Sequence, residues 1–168
     1  TAGFNTADLD KMTDSGKMGM VLLMVIGGSP GSTAGGMKTT TAAVLFAMAI
    51  SVFRKNEQAH LYNRRIAEET QRNAATIFVL YMMLFTGSAM FISYLEKVPL
   101  VTAFFETGSA IGTVGLSLGL TPTLCLASRL VLICLMFFGR VGGLTLIFAT
   151  VSGKRTEYKY PQEKINVG

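Results

Sequence analysis

Apolar residues run along this chain in long unbroken blocks, not in the alternation that marks a half-buried strand. Residues 73–95, NAATIFVLYMMLFTGSAMFISYL, hold no charged side chain. About 20 such residues carry a helix across the hydrocarbon core of a bilayer, so the block predicts a membrane-spanning helix. Residues 124–150 are equally apolar except for Arg129 and Arg140. Arg129 is near enough to one end to extend its head group outward, but Arg140 lies deeper and calls for partners, because a mid-span cation is expensive without them. Residues 17–53 predict a third span, cut in two by GGSPGSTAGGMKTTT at 27–41. Between the spans 73–95 and 124–150, residues 98–122 read as a short amphipathic helix over 99–109 and then a glycine-rich run. That is too short to cross the membrane and return, and it fits a re-entrant helix and loop.

The polar segments orient these spans. The linker 54–72 carries Arg54, Lys55, Arg64, Arg65 and Arg72, and the tail 152–168 carries Lys154, Arg155, Lys159 and Lys164. The opposite side sets Lys11, Lys17 and Lys97 among Asp8, Asp10, Asp14 and Glu96. An excess of Lys and Arg marks the cytoplasmic side, so linker and tail are expected there. The path then runs inward over 17–53, outward over 73–95, into and out of the membrane from outside over 98–122, and inward again over 124–150.

Composition strengthens the membrane reading. Half of the residues are hydrophobic, and only 15% are charged, against about a quarter in soluble domains. Mean hydropathy is +0.46. The expected fold class is therefore all-α and integral to the membrane. The net charge of +5 is modest and no basic run is interleaved with aromatics, so nucleic acid is not an expected partner; the lipid bilayer is. Cys125 and Cys134 form no metal pair or disulfide framework and read as small apolar residues. His60 falls in the polar linker and reads as a solvated side chain. No nucleophile–base pair with His and no metal cluster is visible, which argues against an enzyme, a resident metal or a cofactor in this chain. The start, Thr1-Ala2-Gly3-Phe4-Asn5, has no Met, basic stretch or apolar stretch of a signal peptide, and the chain reads as a piece of something longer.

The break at 27–41 admits three readings. As a phosphate-binding loop it nearly fits the Walker pattern from Gly31 to Gly36, but Met37 occupies the lysine position and no βαβ context surrounds it. As an interdomain linker it lacks soluble domains on either side. As a broken membrane helix each feature has a use: Pro30 and the glycines interrupt the helix, and Ser32, Thr33 and the freed backbone groups stay hydrated in a cavity. Lys38 adds positive charge there. A weak internal repeat accompanies it. Thr1-Ala2-Gly3-Phe4-Asn5 aligns with Thr113-Val114-Gly115-Leu116-Ser117, each followed by a segment that enters the membrane from outside. Glycine lets backbone carbonyls turn toward an axis, and rings of carbonyls replace the hydration shell of a permeating cation.

Together the two Thr-x-Gly stretches, GGSPGSTAGGMKT and FGRVGG resemble the Trk/Ktr/HKT potassium transporters, most nearly the C-terminal part of a Ktr-type membrane subunit. The resemblance implies membrane helix–pore loop–membrane helix repeats around one pore, with re-entrant filter loops and a broken helix. Residues 1–53 would be the end of a third repeat, 54–72 a cytoplasmic linker, 73–151 a fourth repeat and 152–168 a cytoplasmic tail. Thr1, Ala2, Gly3 and Phe4 would line one quarter of the filter, and Gly112, Thr113, Val114 and Gly115 another. A gating loop would run through Gly27, Gly28, Ser29, Pro30, Gly31, Ser32, Thr33, Ala34, Gly35 and Gly36 to Lys38, contacted by Arg140. Glu106 in the re-entrant helix has two readings, pairing with a polar group behind the filter or raising the local cation concentration, and the first is favoured. The implied activity is K⁺ uptake across the plasma membrane, with Na⁺ a candidate coupling ion. Implied partners are the upstream repeats of the same subunit, a second copy in a homodimer and a cytoplasmic nucleotide-binding regulatory ring. One repeat and part of another cannot close a pore, so the chain alone is not expected to conduct. A secondary transporter using a discontinuous-helix site for another solute, or a non-conducting membrane subunit, are the competing readings.

Overall fold

The computed structural model describes residues 2–55, 59–61 and 64–142. Thr1, the tail 152–168 and the end of the last expected span, 143–150, lie outside the described residues. The chain is helical, with five α-helices and one small ladder among the described residues. Helix α1 covers Asp14–Ile26, and the Thr13 side chain caps it by accepting from Gly16 N at 3.2 Å. The helix stops at Gly27, where φ is 75°, a value glycine tolerates and other residues resist. Helix α2 resumes at Thr39 and runs to Phe53. Residues 27–38 between them are not helical, and they return the chain upon itself: Met37 N donates to Val25 O at 3.1 Å, Lys38 N to Ile26 O at 2.8 Å and Thr39 N to Gly28 O at 3.1 Å.

The linker holds the ladder. Strands β1, His60–Leu61, and β2, Arg64–Arg65, pair antiparallel with His60 opposite Arg65. It is a small exception to the expected all-α chain. Helix α3 spans Glu68–Glu96, starting earlier than the expected 73. Glu68 and Glu69 fill its first turn, where carboxylates suit the positive end of the helix dipole. It is long and apolar enough to cross a membrane. Helix α4, Leu100–Ile111, is short, and Phe105 through Ile111 are all buried. Helix α5 covers Leu126–Val141.

Helix α4 is the centre of the molecule. Helices α1, α3 and α5 all pack on it. Gly108 opens room for α1, since a Cβ there would stand 3.3 Å from Val21 Cγ1 and 3.6 Å from Phe85 Cε2. Phe104 and Phe85 stack with ring centroids 5.1 Å apart. Tyr81, 1% exposed, ties α3 to α5 by donating to Phe138 O at 3.4 Å.

Of the expected span 124–150, the structure describes the residues up to Gly142. An uninterrupted helix over 124–150 would place Arg140 in mid-span. Helix α5 instead ends at Val141, and Gly142 has φ 86°. Arg140 therefore occupies the last turn, where orphan carbonyls and the negative end of the helix dipole favour a cation.

Candidate functional site

The segment after α4 carries the second Thr-x-Gly stretch. Gly112 caps α4 and keeps helical angles, φ −75° and ψ −8°. Thr113 then turns to φ 50° and Gly115 to φ 88°. Ser109 fastens the stretch from inside α4: Val114 N donates to its carbonyl at 2.9 Å and Leu116 N to its hydroxyl at 2.9 Å. Gly3, in the first stretch, has φ 64° and lies directly against Gly115. A Cβ on Gly3 would sit 2.8 Å from Gly115 O, and one on Gly115 would sit 3.2 Å from Gly3 Cα. The two stretches that align in sequence thus meet at their glycines, and both backbones hold left-handed angles. Ala2 and Phe4 beside Gly3 are exposed.

Behind the second stretch, Glu106 is 3% exposed. Its Oε1 accepts from Ser117 Oγ at 2.6 Å and Leu118 N at 2.9 Å, and its Oε2 accepts from Thr121 Oγ1 at 2.9 Å. With no cation partner among the described residues, the buried carboxylate is tolerable because three donors satisfy it. Glu106 also borders a cavity of about 480 Å³ with Gly115, Ser117 and Thr121.

The loop 27–38 reaches the end of α4 from the other side. Gly36 N donates to Ile111 O at 3.1 Å. Gly35 N donates to Gly112 O at 3.2 Å and to Thr113 Oγ1 at 2.9 Å. Two further tethers hold the loop: Arg140 Nη1 donates to Thr33 O and Lys38 Nζ to Ala34 O. Ser32 closes a local turn by donating from N and Oγ to Ser29 O. The fit leaves no room for side chains. A Cβ on Gly27 would lie 2.1 Å from Gly35 O, and one on Gly112 would lie 2.5 Å from Met24 O. Gly28 is half-buried and faces Ala34 across the loop, whereas Pro30 and Gly31 are exposed.

Sequence reasoning did not single out Gly139. A Cβ there would stand 1.9 Å from Ile111 O, so α5 presses its bare backbone against the carbonyl that Gly36 N also uses. The signal was the GRVGG run, in which a glycine precedes the arginine by one residue. Ser109 was likewise missed, because a serine inside an apolar helix has no pattern to mark it. Among the described residues no three of His, Cys, Asp and Glu are grouped to hold a metal ion.

A short buried helix packed against a broken helix, beside a helix long and apolar enough to cross a membrane, suits an integral membrane protein. The comparisons with known proteins give the class a family. A family model described as TrkH, cation transport protein, matches residues 1–158; the chain belongs to that family. It is 40% identical to the potassium/sodium uptake protein NtpJ of Enterococcus hirae, over all of this chain and 39% of that protein. It is 33% identical to the Ktr system potassium uptake protein B of Bacillus subtilis, over all of this chain and 38% of that protein. The Ktr system potassium uptake protein D of the same organism is 32% identical over a similar share. The chain thus spans less than two fifths of the length of these relatives. They are membrane transport proteins, and a membrane location follows for this chain.

Proposed function

We propose that this chain supplies part of a selectivity filter and a gate to a pore for potassium uptake across the plasma membrane, as the C-terminal part of a Ktr-like translocating subunit. Residues Thr1–Phe4 and Gly112–Gly115 form two quarters of a backbone filter, and residues 27–38 obstruct the route beneath it. The observation that carries the reading is the loop itself. Its glycine backbone lies within hydrogen-bond reach of residues 111–113, and Arg140 grips Thr33 O. Apart from the buried Met37, few of the loop's side chains anchor it in apolar surroundings, so its position rests largely on polar tethers, which a gate can exchange as it moves. K⁺ is the proposed cargo. The 40%-identical relative is named a potassium/sodium uptake protein, which keeps Na⁺ as a second transported or coupling ion. Linker and tail face the cytoplasm, where a nucleotide-binding regulatory ring docks, and two subunits form a dimer.

The test is K⁺ flux in proteoliposomes made with the transporter subunit that contains this chain. Deleting Gly31–Gly35 removes the obstruction. Arg140→Ala removes one tether and leaves loop carbonyls unpaired, at a cost of about 1–3 kcal/mol. An equilibrium biased by that much shifts its open population roughly 5- to 150-fold. Both variants should raise flux, the deletion more. A deletion variant that inserts and conducts no faster than its parent removes the gate assignment.

A further inference from the structure

The loop and the filter stretch are not independent parts, and Thr113 is where they join. Gly35 N is shared between Gly112 O at 3.2 Å and the Thr113 hydroxyl at 2.9 Å. Thr113 holds φ 50°. A β-branched residue at positive φ is an outlier that persists only where its surroundings enforce it. Two bonds do the enforcing: Thr113 N donates to Ala110 O at 3.0 Å, and the hydroxyl accepts from Gly35 N. The first belongs to the rigid end of α4. The second comes from the loop. A Cβ on Gly35 would lie 2.8 Å from Thr113 Oγ1 and 3.0 Å from Ile111 O, so only a bare backbone reaches this seat.

The geometry points to Thr113 as a coupling residue that makes ion discrimination depend on the position of the loop. The inference rests on the filter and gate reading above and goes one step further. With the loop in place, Gly35 N occupies the Gly112 carbonyl and braces Thr113 in its strained conformation. When the loop leaves, both bonds break together. The Gly112 carbonyl is then free to face an ion or water, and Thr113 relaxes toward ordinary angles, which re-aims the carbonyls of the stretch it begins. The loop-closed and loop-open states therefore carry different filter geometries. By linkage, whatever stabilises the filter geometry also stabilises the closed loop, to the same degree.

Reciprocity supplies the test, in the full subunit with Cys125 and Cys134, both exposed, changed to Ser. A Ser29→Cys reporter on the loop is labelled by a membrane-impermeant thiol reagent from the loop side, and K⁺ against Na⁺ flux is measured in the same vesicles. Thr113→Val keeps the shape and removes the acceptor, while Thr113→Ser keeps the acceptor. Thr113→Val should raise the labelling rate by about 5- to 150-fold and reduce K⁺/Na⁺ discrimination; Thr113→Ser, which keeps the acceptor, should change the labelling rate far less than Thr113→Val. Deleting Gly31–Gly35, which leaves residue 113 untouched, should reduce discrimination as well, and Thr113→Val should add nothing further in that background. If the deletion raises flux with discrimination unchanged, the gate stands and the coupling is overturned. An unchanged labelling rate in Thr113→Val overturns it too. If the deletion leaves flux at the parental level, the gate itself falls, and the coupling with it.

Discussion

Two glycines show how much a single hydrogen atom decides in this chain. Gly139 is buried in α5 with its Cα against the end of α4; an added Cβ would lie 1.9 Å from Ile111 O and 2.8 Å from Ile111 C. Both are backbone atoms that cannot swing aside, so Gly139→Ala must push α5 away from α4 or dislodge Ile111. Overpacking of this kind costs typically 1–3 kcal/mol. It also strains the carbonyl that receives Gly36 N. Gly87, inside α3, meets nothing within 4 Å. There the only consequence of Ala is better helix propensity, worth about 0.5–1 kcal/mol. Thermal unfolding of the detergent-solubilised subunit should therefore move in opposite directions, down for Gly139→Ala and up for Gly87→Ala. Equal shifts would mean that the close approach of α5 to α4 is absent in the membrane. Glu106 obeys the same logic from the polar side: its three donors make burial tolerable, and they pin residues 117–121 to the back of α4.

At the scale of elements, the legible parts were those in which composition and conformation agree. The uncharged run 73–95 became the core of α3, and the proline and glycines of 27–38 separated α1 from α2, because few other residues can stop an apolar helix so abruptly. Three features were illegible for physical reasons. The start of α3 at Glu68 hid behind polar residues that suit a helix N-terminus. The end of α5 at Val141 hid inside an apolar run, although Gly142 and its φ of 86° stop it. The β1–β2 ladder is only two residues per strand, too short for any period to show. That ladder gives the basic linker a shape: Arg64 and Arg65 are exposed on it, beside the start of α3. Charges carried on a paired strand make a better docking rim than charges on a random coil. If the regulatory ring implied by family resemblance docks here, Arg64→Glu with Arg65→Glu should weaken its binding roughly 2- to 30-fold, at 0.2–1 kcal/mol per exposed pair. The loss should shrink in high salt as screening grows. Pull-down affinities that ignore both the substitutions and the salt would move the docking face elsewhere.

On the scale of the whole molecule, the exposed apolar surface says what must surround this chain. Leu126, Leu130, Ile133 and Phe137 form one stripe along α5, at 75%, 52%, 59% and 62% exposure. Leu22 and Leu23 on α1, and Phe46 and Phe53 on α2, are comparably bare. In water such faces would aggregate; in a membrane, lipid or neighbouring helices cover them, and packing detail rather than hydrophobicity selects the neighbour. The two Thr-x-Gly stretches approach each other at Gly3 and Gly115, and in the filter reading proposed above they supply only two of its four quarters. A cation needs carbonyls all round to replace its hydration shell. This chain reconstituted by itself should accordingly give no K⁺ flux above empty vesicles. Its match to 39% of NtpJ at 40% identity makes the complementary experiment possible: exchanging the matching segment of that protein for this chain. Its internal contacts, α4 against α1, α3 and α5, travel with the exchanged piece, so only the outer faces must adapt, and cores tolerate volume-conserving changes of that kind. The chimera should insert and restore growth of a K⁺-uptake-deficient strain at low external K⁺. A chimera that inserts, folds and fails to take up K⁺ would show that the filter quarters of this chain do not align with those of its relative, and the assignment of residues 1–4 and 112–115 would fall first.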